Sequence, residues 1–202
     1  MTNPEDLLKP GSVSEIDYDP FAAAPTVELA TTPAQREMWL SAESGPEAIC
    51  AYNESFSIRL TGSVDEEALA RGLQALADCH EALRGHFSED GECFVIEPAI
   101  VVPITRHDLS ALPQDERSSA LARLEGEDAA TPYDLSRGPL LRAAIIKMGA
   151  GDCVVILSAN HAVCDGWSLD VLLADFGRLY SYFVGAAPMP TPPRHSFSDY
   201  VS

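Results

Sequence analysis

The sequence predicts an α/β chain of the α+β type: a mixed, largely antiparallel sheet with flanking helices. Two solidly apolar runs, residues 140–148 and 153–159, are split only by Gly149-Ala150-Gly151-Asp152. So short a turn makes them an antiparallel pair, and their predominantly apolar character, broken only by Arg142, Lys147 and Ser158, implies cover on both faces. Residues 168–183 carry Leu169, Leu172, Leu173, Phe176, Leu179, Tyr180 and Phe183 at helical spacing. Hairpin signals lie between helical patterns without strict β-α-β order, which favours a mixed sheet with helices packed on it.

Taken in order, residues 1–29 are rich in Pro, Asp and Ala, and read as a flexible leader or linker. Organisation is expected from residue 30 to residue 202. Thr32 and Pro33 suit a helix cap and first turn, with Met38, Trp39 and Ala42 on one face. Residues 54–60 alternate, Phe56, Ile58 and Leu60 facing one way and Ser55, Ser57 and Arg59 the other. Ser63-Val64-Asp65-Glu66 has capping-box spacing, and Leu69, Leu73, Leu76 and Leu83 continue it as a helix. Glu89-Asp90-Gly91 predicts a turn into a short strand over 93–97. Residues 113–130 read as a surface helix whose stripe is Ala120, Leu121 and Leu124. For the 168–183 helix, Ser168 is the expected N-cap and Gly185 the C-terminal stop. A Pro-rich tail follows.

With 46% hydrophobic and 22% charged residues, the 202-residue chain has a globular balance. No run is long enough to span a bilayer, and the first residues lack the form of a signal peptide, so a cytoplasmic protein is expected. Thirteen basic against thirty-one acidic residues give a formal charge of −18. That disfavours nucleic acid and anionic membranes as partners. Five cysteines without repeated CxxC spacing fit free thiols in a reducing compartment. A zinc site from Cys153, His161 and Cys164 lacks the usual paired spacing, so no metal is expected.

The chemistry lies in Ser158-Ala159-Asn160-His161-Ala162-Val163-Cys164-Asp165-Gly166-Trp167-Ser168. An apolar strand ends here, a helix begins, and the loop between holds an imidazole, a carboxylate and a glycine. Such a loop can present a proton acceptor held by rigid neighbours. Gly166 permits a tight turn, and Asp165 could anchor the loop through an ion pair. Taken alone, a single His at a strand end is more often a structural residue than a catalyst, and Asp-Gly is a routine turn pair.

The segment Asn160-His161-Ala162-Val163-Cys164-Asp165-Gly166-Trp167-Ser168 resembles the HHxxxDGxS signature of nonribosomal peptide synthetase condensation domains. These are similar to chloramphenicol acetyltransferase and other carrier- or CoA-dependent acyltransferases. Thr32-Pro33-Ala34-Gln35-Arg36-Glu37-Met38-Trp39 resembles the family's first motif, SxAQxRLW. His80-Glu81-Ala82-Leu83-Arg84 resembles RHExLR. Tyr133-Asp134-Leu135 with Gly138-Pro139-Leu140-Leu141-Arg142 resembles FDLxxGPLLR. The four occur in family order across residues 30–202.

The resemblance implies one chloramphenicol acetyltransferase-like lobe, the amino-terminal half of a condensation domain, with a second lobe as partner. It implies amide-bond formation between a carrier-bound acyl or peptidyl thioester and a carrier-bound aminoacyl acceptor. Substrates would ride on phosphopantetheine arms of donor and acceptor carrier proteins, with no cofactor bound by the lobe itself. His161 aligns with the catalytic histidine. Gly166 would offer a backbone N–H to the oxyanion, and Asp165 would pair with an arginine. Asn160 stands where the family has its first histidine. Cys79 replaces the first arginine of RHExLR, leaving Arg84 as the remaining candidate partner of Asp165. Ala51-Tyr52-Asn53-Glu54-Ser55, with the Cys164-to-Ser168 stretch, also resembles condensation domains fed by polyketide modules. Alternatives are a noncatalytic lobe that docks carrier proteins and an acyltransferase acting on a free amine or alcohol. A hydrolase using Cys164 with His161 is a further one.

Overall fold

The computed structural model describes residues 25–201. Strand β2 (Asn53–Thr61), β5 (Ile104–Asp108), β6 (Leu141–Gly149) and β7 (Asp152–Asn160) form a sheet of order β2-β7-β6-β5. β7 runs antiparallel to both β2 and β6, while β5 runs parallel to β6. The predicted hairpin is β6–β7, and Gly151 at its turn has φ +68°, where a side chain would be strained. Alternate residues of β6 and β7 feed two cores. Leu141, Ala143, Ile145, Val155 and Leu157 face one way; Ala144, Ile146, Met148, Val154 and Ile156 face the other. Cover on both sides is why the two strands carry no polar alternation.

On the first face lie α3 (Glu66–Cys79) and α5 (Gly166–Phe183). Leu69, Leu73 and Leu76 of α3 meet Leu172, Phe176 and Leu179 of α5 over the strands. The two helices approach closely at Gly72, where an added Cβ would meet the Phe176 ring at 3.2 Å. On the second face lies α4 (Gln114–Ala129), touching the sheet through Leu121 and Leu124 and burying no residue completely. Its predicted stripe suffices because the opposite side is solvated.

A second, three-stranded antiparallel sheet, β1 (Val27–Ala30), β4 (Cys93–Ile96) and β3 (Gly85–Phe87), has order β1-β4-β3. The sequence pattern predicts one sheet and a leader to residue 29. Val27 instead pairs with Ile96, so pairing starts inside that segment; residues 1–24 lie outside the described residues. The pattern also gives no sign of β3, β5 or the short helices α2 (Pro46–Cys50) and α6 (Phe197–Val201), and the helix it carries through Leu83 instead ends at Cys79, with a separate 3-10 turn at Glu81–Arg84. All are too short for periodicity to register.

Helix starts follow capping chemistry more closely than predicted in one place and less in two. Helix α1 (Pro33–Ala42) has its full capping box: Gln35 N–H donates to Thr32 Oγ1, and Thr32 N–H to Gln35 Oε1. Helix α3 is capped by Asp65, which accepts from the Glu67 and Ala68 amides at 2.9 Å, so Ser63 is not the cap. Helix α5 is capped by Asp165 rather than by Ser168, which lies inside its first turn. In both cases an Asp near a predicted start took the role, because its carboxylate accepts from two donors at once. Among the described residues no helix is long and apolar enough to cross a membrane.

Candidate functional site

β7 ends at Asn160 and α5 begins at Gly166, so residues 161–165 bridge the sheet to the helix. Hydrogen bonds fix this bridge from three sides. The His161 N–H donates to the Tyr52 carbonyl at 2.7 Å, extending the β2–β7 ladder by one bond. Asn160, 1% exposed, folds the chain back: its Oδ1 accepts from the Ala162 N–H at 3.1 Å, and its carbonyl accepts from the Val163 N–H at 3.0 Å. From α1, Gln35 Nε2 donates to the Ala162 carbonyl at 3.1 Å. Ala162, Val163 and Cys164 are buried in the core shared with α3 and α5.

The His161 side chain is 33% exposed. Its Nδ1 is nevertheless enclosed and makes no hydrogen bond. Glu54 Oε1 lies 3.1 Å from that nitrogen, near enough for an ion pair but out of line for a hydrogen bond. The exposed part of the ring is therefore the side away from Nδ1. Glu54 reaches this point because it pairs with Ala159 in the β2–β7 register, one row before the end of β7.

Asp165 is exposed and does not point back into the lobe. Its Oδ1 accepts from the Ser168 N–H at 2.8 Å and the Ser168 hydroxyl at 2.6 Å. Those bonds hold its carboxyl below the ordinary carboxylate range, with a smaller contribution from His161. Among the described residues the expected arginine pair is not made. Arg84 instead donates to the carbonyls of Ala77, Asp78 and Glu97, closing the end of α3. Cys79 and His80 also sit at that end, where His80 Nε2 meets Asp175 Oδ2 at 3.1 Å. Asp175 lies ten residues beyond Asp165 on α5, about 15 Å along the axis. Position 79 therefore neighbours Asp175 rather than Asp165.

Gly166 is the first residue of α5, with no left-handed backbone, and an added Cβ there would meet nothing within 4 Å. The tight-turn explanation for this glycine does not hold. Within α5, the Ser168 and Leu169 amides are satisfied by Asp165, through its carboxylate and its carbonyl. The Gly166 and Trp167 amides have no acceptor inside the helix and lie at its positive end.

Two other readings lose their footing here. Burial pushes the Cys164 thiol up to about 12, helped by the charges of Asp165 and Glu54, so it is no activated nucleophile. Cys153 is the second residue of β7 and His161 follows its far end, eight residues on, or about 26 Å of strand. These two cannot share a zinc ion. Gln35 falls in the first family motif and Glu54 in the 51–55 tract, but the sequence gives neither a role at the site. The signal available for Glu54 is a carboxylate in phase with Phe56, Ile58 and Leu60, on the face that turns to the core.

An open imidazole on a tightly held loop, beside a helix start with two free amides, sits on a mixed sheet flanked by helices. The chain belongs to the condensation-domain family, whose model matches residues 26–202. Chondramide synthase cmdD of Chondromyces crocatus is 34% identical over 175 residues, 85% of this chain and 4% of that protein. Phosphinothricin tripeptide synthetase PhsC of Streptomyces viridochromogenes is 38% identical over 148 residues, 72% of this chain and 14% of that protein. In fold, the chain is similar to the starter condensation domain of rhizomide synthetase RzmA: TM-score 0.78, 19% identity, 87% of this chain and 44% of that one. The first condensation domain of the CDA synthetase gives 0.74, 22% identity, 86% and 44%. The chain thus spans a small part of these synthetases and less than half of the solved domains.

Proposed function

We propose that this lobe takes part in amide-bond formation between an acyl or peptidyl thioester and an aminoacyl acceptor, each carried on the phosphopantetheine arm of a carrier protein. The observation that carries the reading is the His161 loop: a one-third-exposed imidazole on a bridge anchored by Tyr52, Asn160 and Gln35, next to the free amides of Gly166 and Trp167. In this mechanism His161 orients the acceptor amine and takes its proton as the nitrogen attacks the thioester carbonyl. Negative charge grows on the carbonyl oxygen, and the α5 amides are the nearest built-in donors for it. The C–S bond then breaks, the amide forms, and the departing thiolate receives a proton from the imidazolium.

The bare space over Gly166 supports this use of the helix start, since any side chain there would stand in the approach. Asn160 in place of a histidine does not weaken the reading, because that side chain is buried and holds the turn. Trp167 is 85% exposed and Val171 53%, four residues apart on α5, and together they offer an apolar surface beside the bridge for the second lobe. The family membership and the peptide synthetases among its relatives support a carrier-bound acceptor.

The test offers a complete condensation domain carrying this lobe a loaded donor carrier and three acceptors: an aminoacyl carrier, a free amine and an alcohol. Amide product with the aminoacyl carrier alone, detected by mass spectrometry, is expected. Product mainly with the free amine or alcohol would replace condensation by simple acyl transfer. No product with any acceptor would favour a docking lobe.

A further inference from the structure

The two nitrogens of His161 have different surroundings, and the difference bears on which of them can accept a proton. Nδ1 is enclosed, lacks a hydrogen-bond partner, and has Glu54 Oε1 at 3.1 Å. Nε2 is on the open side of a ring whose side chain is one-third exposed. A neutral imidazole carries one proton, on one nitrogen or the other. Were that proton on Nε2, the lone pair of Nδ1 would face a carboxylate with no water to separate them, and the outward nitrogen would be a donor, useless as a base. With the proton on Nδ1, the enclosed nitrogen gains an acceptor through a small side-chain rotation, and Nε2 is left free to accept. The other charged groups near the ring do not compete. Asp165 is committed to Ser168, and Cys164 is neutral in its buried position.

We propose that Glu54 is a positioning residue that holds the Nδ1 proton of His161 and so presents Nε2 as the proton acceptor. This rests on the reading of His161 as the base. It assigns a task to a residue on β2, more than a hundred positions away in sequence, outside the four main motifs though within the 51–55 tract. Carboxylate–imidazole pairs of this kind fix both ring orientation and tautomer. Glu54 is partly exposed and has Ala159 as its cross-strand partner, so its removal leaves no buried charge and opens no cavity in the core.

The experiment is nitrogen-15 NMR on the 202-residue chain labelled at histidine, at about pH 8, above the ordinary imidazole value. The His161 ring signals are assigned by their loss in His161→Ala. The Nδ1–H form is expected to exceed the Nε2–H form by about tenfold or more, as a charge-assisted hydrogen bond confers. In Glu54→Ala the ratio should fall by about tenfold. Glu54→Gln, nearly the same size but uncharged, should give a smaller fall and serves if the Ala variant does not fold. A dominant Nε2–H form in the wild type, or an unchanged ratio in either folded variant, would overturn the proposal. The tautomer is read with no substrate present, so this result is independent of whether condensation requires His161. If His161→Ala abolishes product while Glu54→Ala leaves the tautomer alone, only the role of Glu54 fails. If His161→Ala is fully active, the base assignment itself fails.

Discussion

Asp165 caps α5 through two bonds with Ser168, and the cap has a thermodynamic signature that separates it from His161. Removing an N-cap costs about 1 kcal/mol, within a range of roughly 0.5–2. For a chain of this size that is a fall in Tm of roughly 2–4 °C. Asp165→Ala should show this fall at neutral pH, while His161→Ala, which removes a partly exposed ring, should leave Tm nearly unchanged. Because folding lowers the pKa of Asp165, its contribution is fully present above the unfolded value. It is lost as pH falls through the lower folded value. The gap between wild type and Asp165→Ala in thermal melts should therefore begin to narrow below about pH 4 and close at still lower pH; a gap that does not narrow with falling pH would rule out the carboxylate cap. Gly166→Ala makes a contrasting case: Ala is the better helix former and the added methyl meets nothing. Melts should show equal or higher Tm, while condensation by the complete domain should slow markedly, if the free space serves substrate. His161 and Asp165 were both legible from their place between apolar run and helix. The identity of the cap was not, because Asp165 and Ser168 both suit the position and only the geometry shows that Ser168 is the donor.

The loop is held by elements that sequence periodicity does not connect. Gln35 was visible as part of a helix start, yet its bond to the Ala162 carbonyl joins positions 127 residues apart. The same limit hid Glu54, whose neighbour His161 is set by strand register rather than by spacing. What was legible were the long elements with strong patterns: β2, α3, the β6–β7 pair, α4 and α5. The short strands β1, β3 and β5 carry four, three and five residues, too few to distinguish alternation from chance. Helix packing behind the site can be tested directly. Phe176 is 3% exposed and lies against Gly72 at the α3–α5 crossing. Phe176→Ala should destabilise by about 3–5 kcal/mol in urea denaturation. A loss below about 1 kcal/mol would mean that α5 is not seated on α3 as described.

At the scale of the whole molecule, the proposed function makes this chain one half of a reaction chamber. His161 is one-third open to solvent, and nothing among the described residues encloses two thioester arms around it. Well-oriented reactants gain about 7–11 kcal/mol over free encounter, and a lone lobe does not supply that positioning. The 202-residue chain alone, mixed with loaded donor and acceptor carriers, should give no amide above its own His161→Ala control; product above that control would show that one lobe is sufficient. The central claim, that His161 moves the acceptor proton, is tested most directly in the complete domain by single-turnover amide formation, followed by mass spectrometry. His161→Ala is compared with wild type after equal Tm has been confirmed. A fall of about 10²- to 10⁴-fold, the usual worth of a positioned proton acceptor, is the result predicted here; an unchanged rate in the folded variant would contradict it.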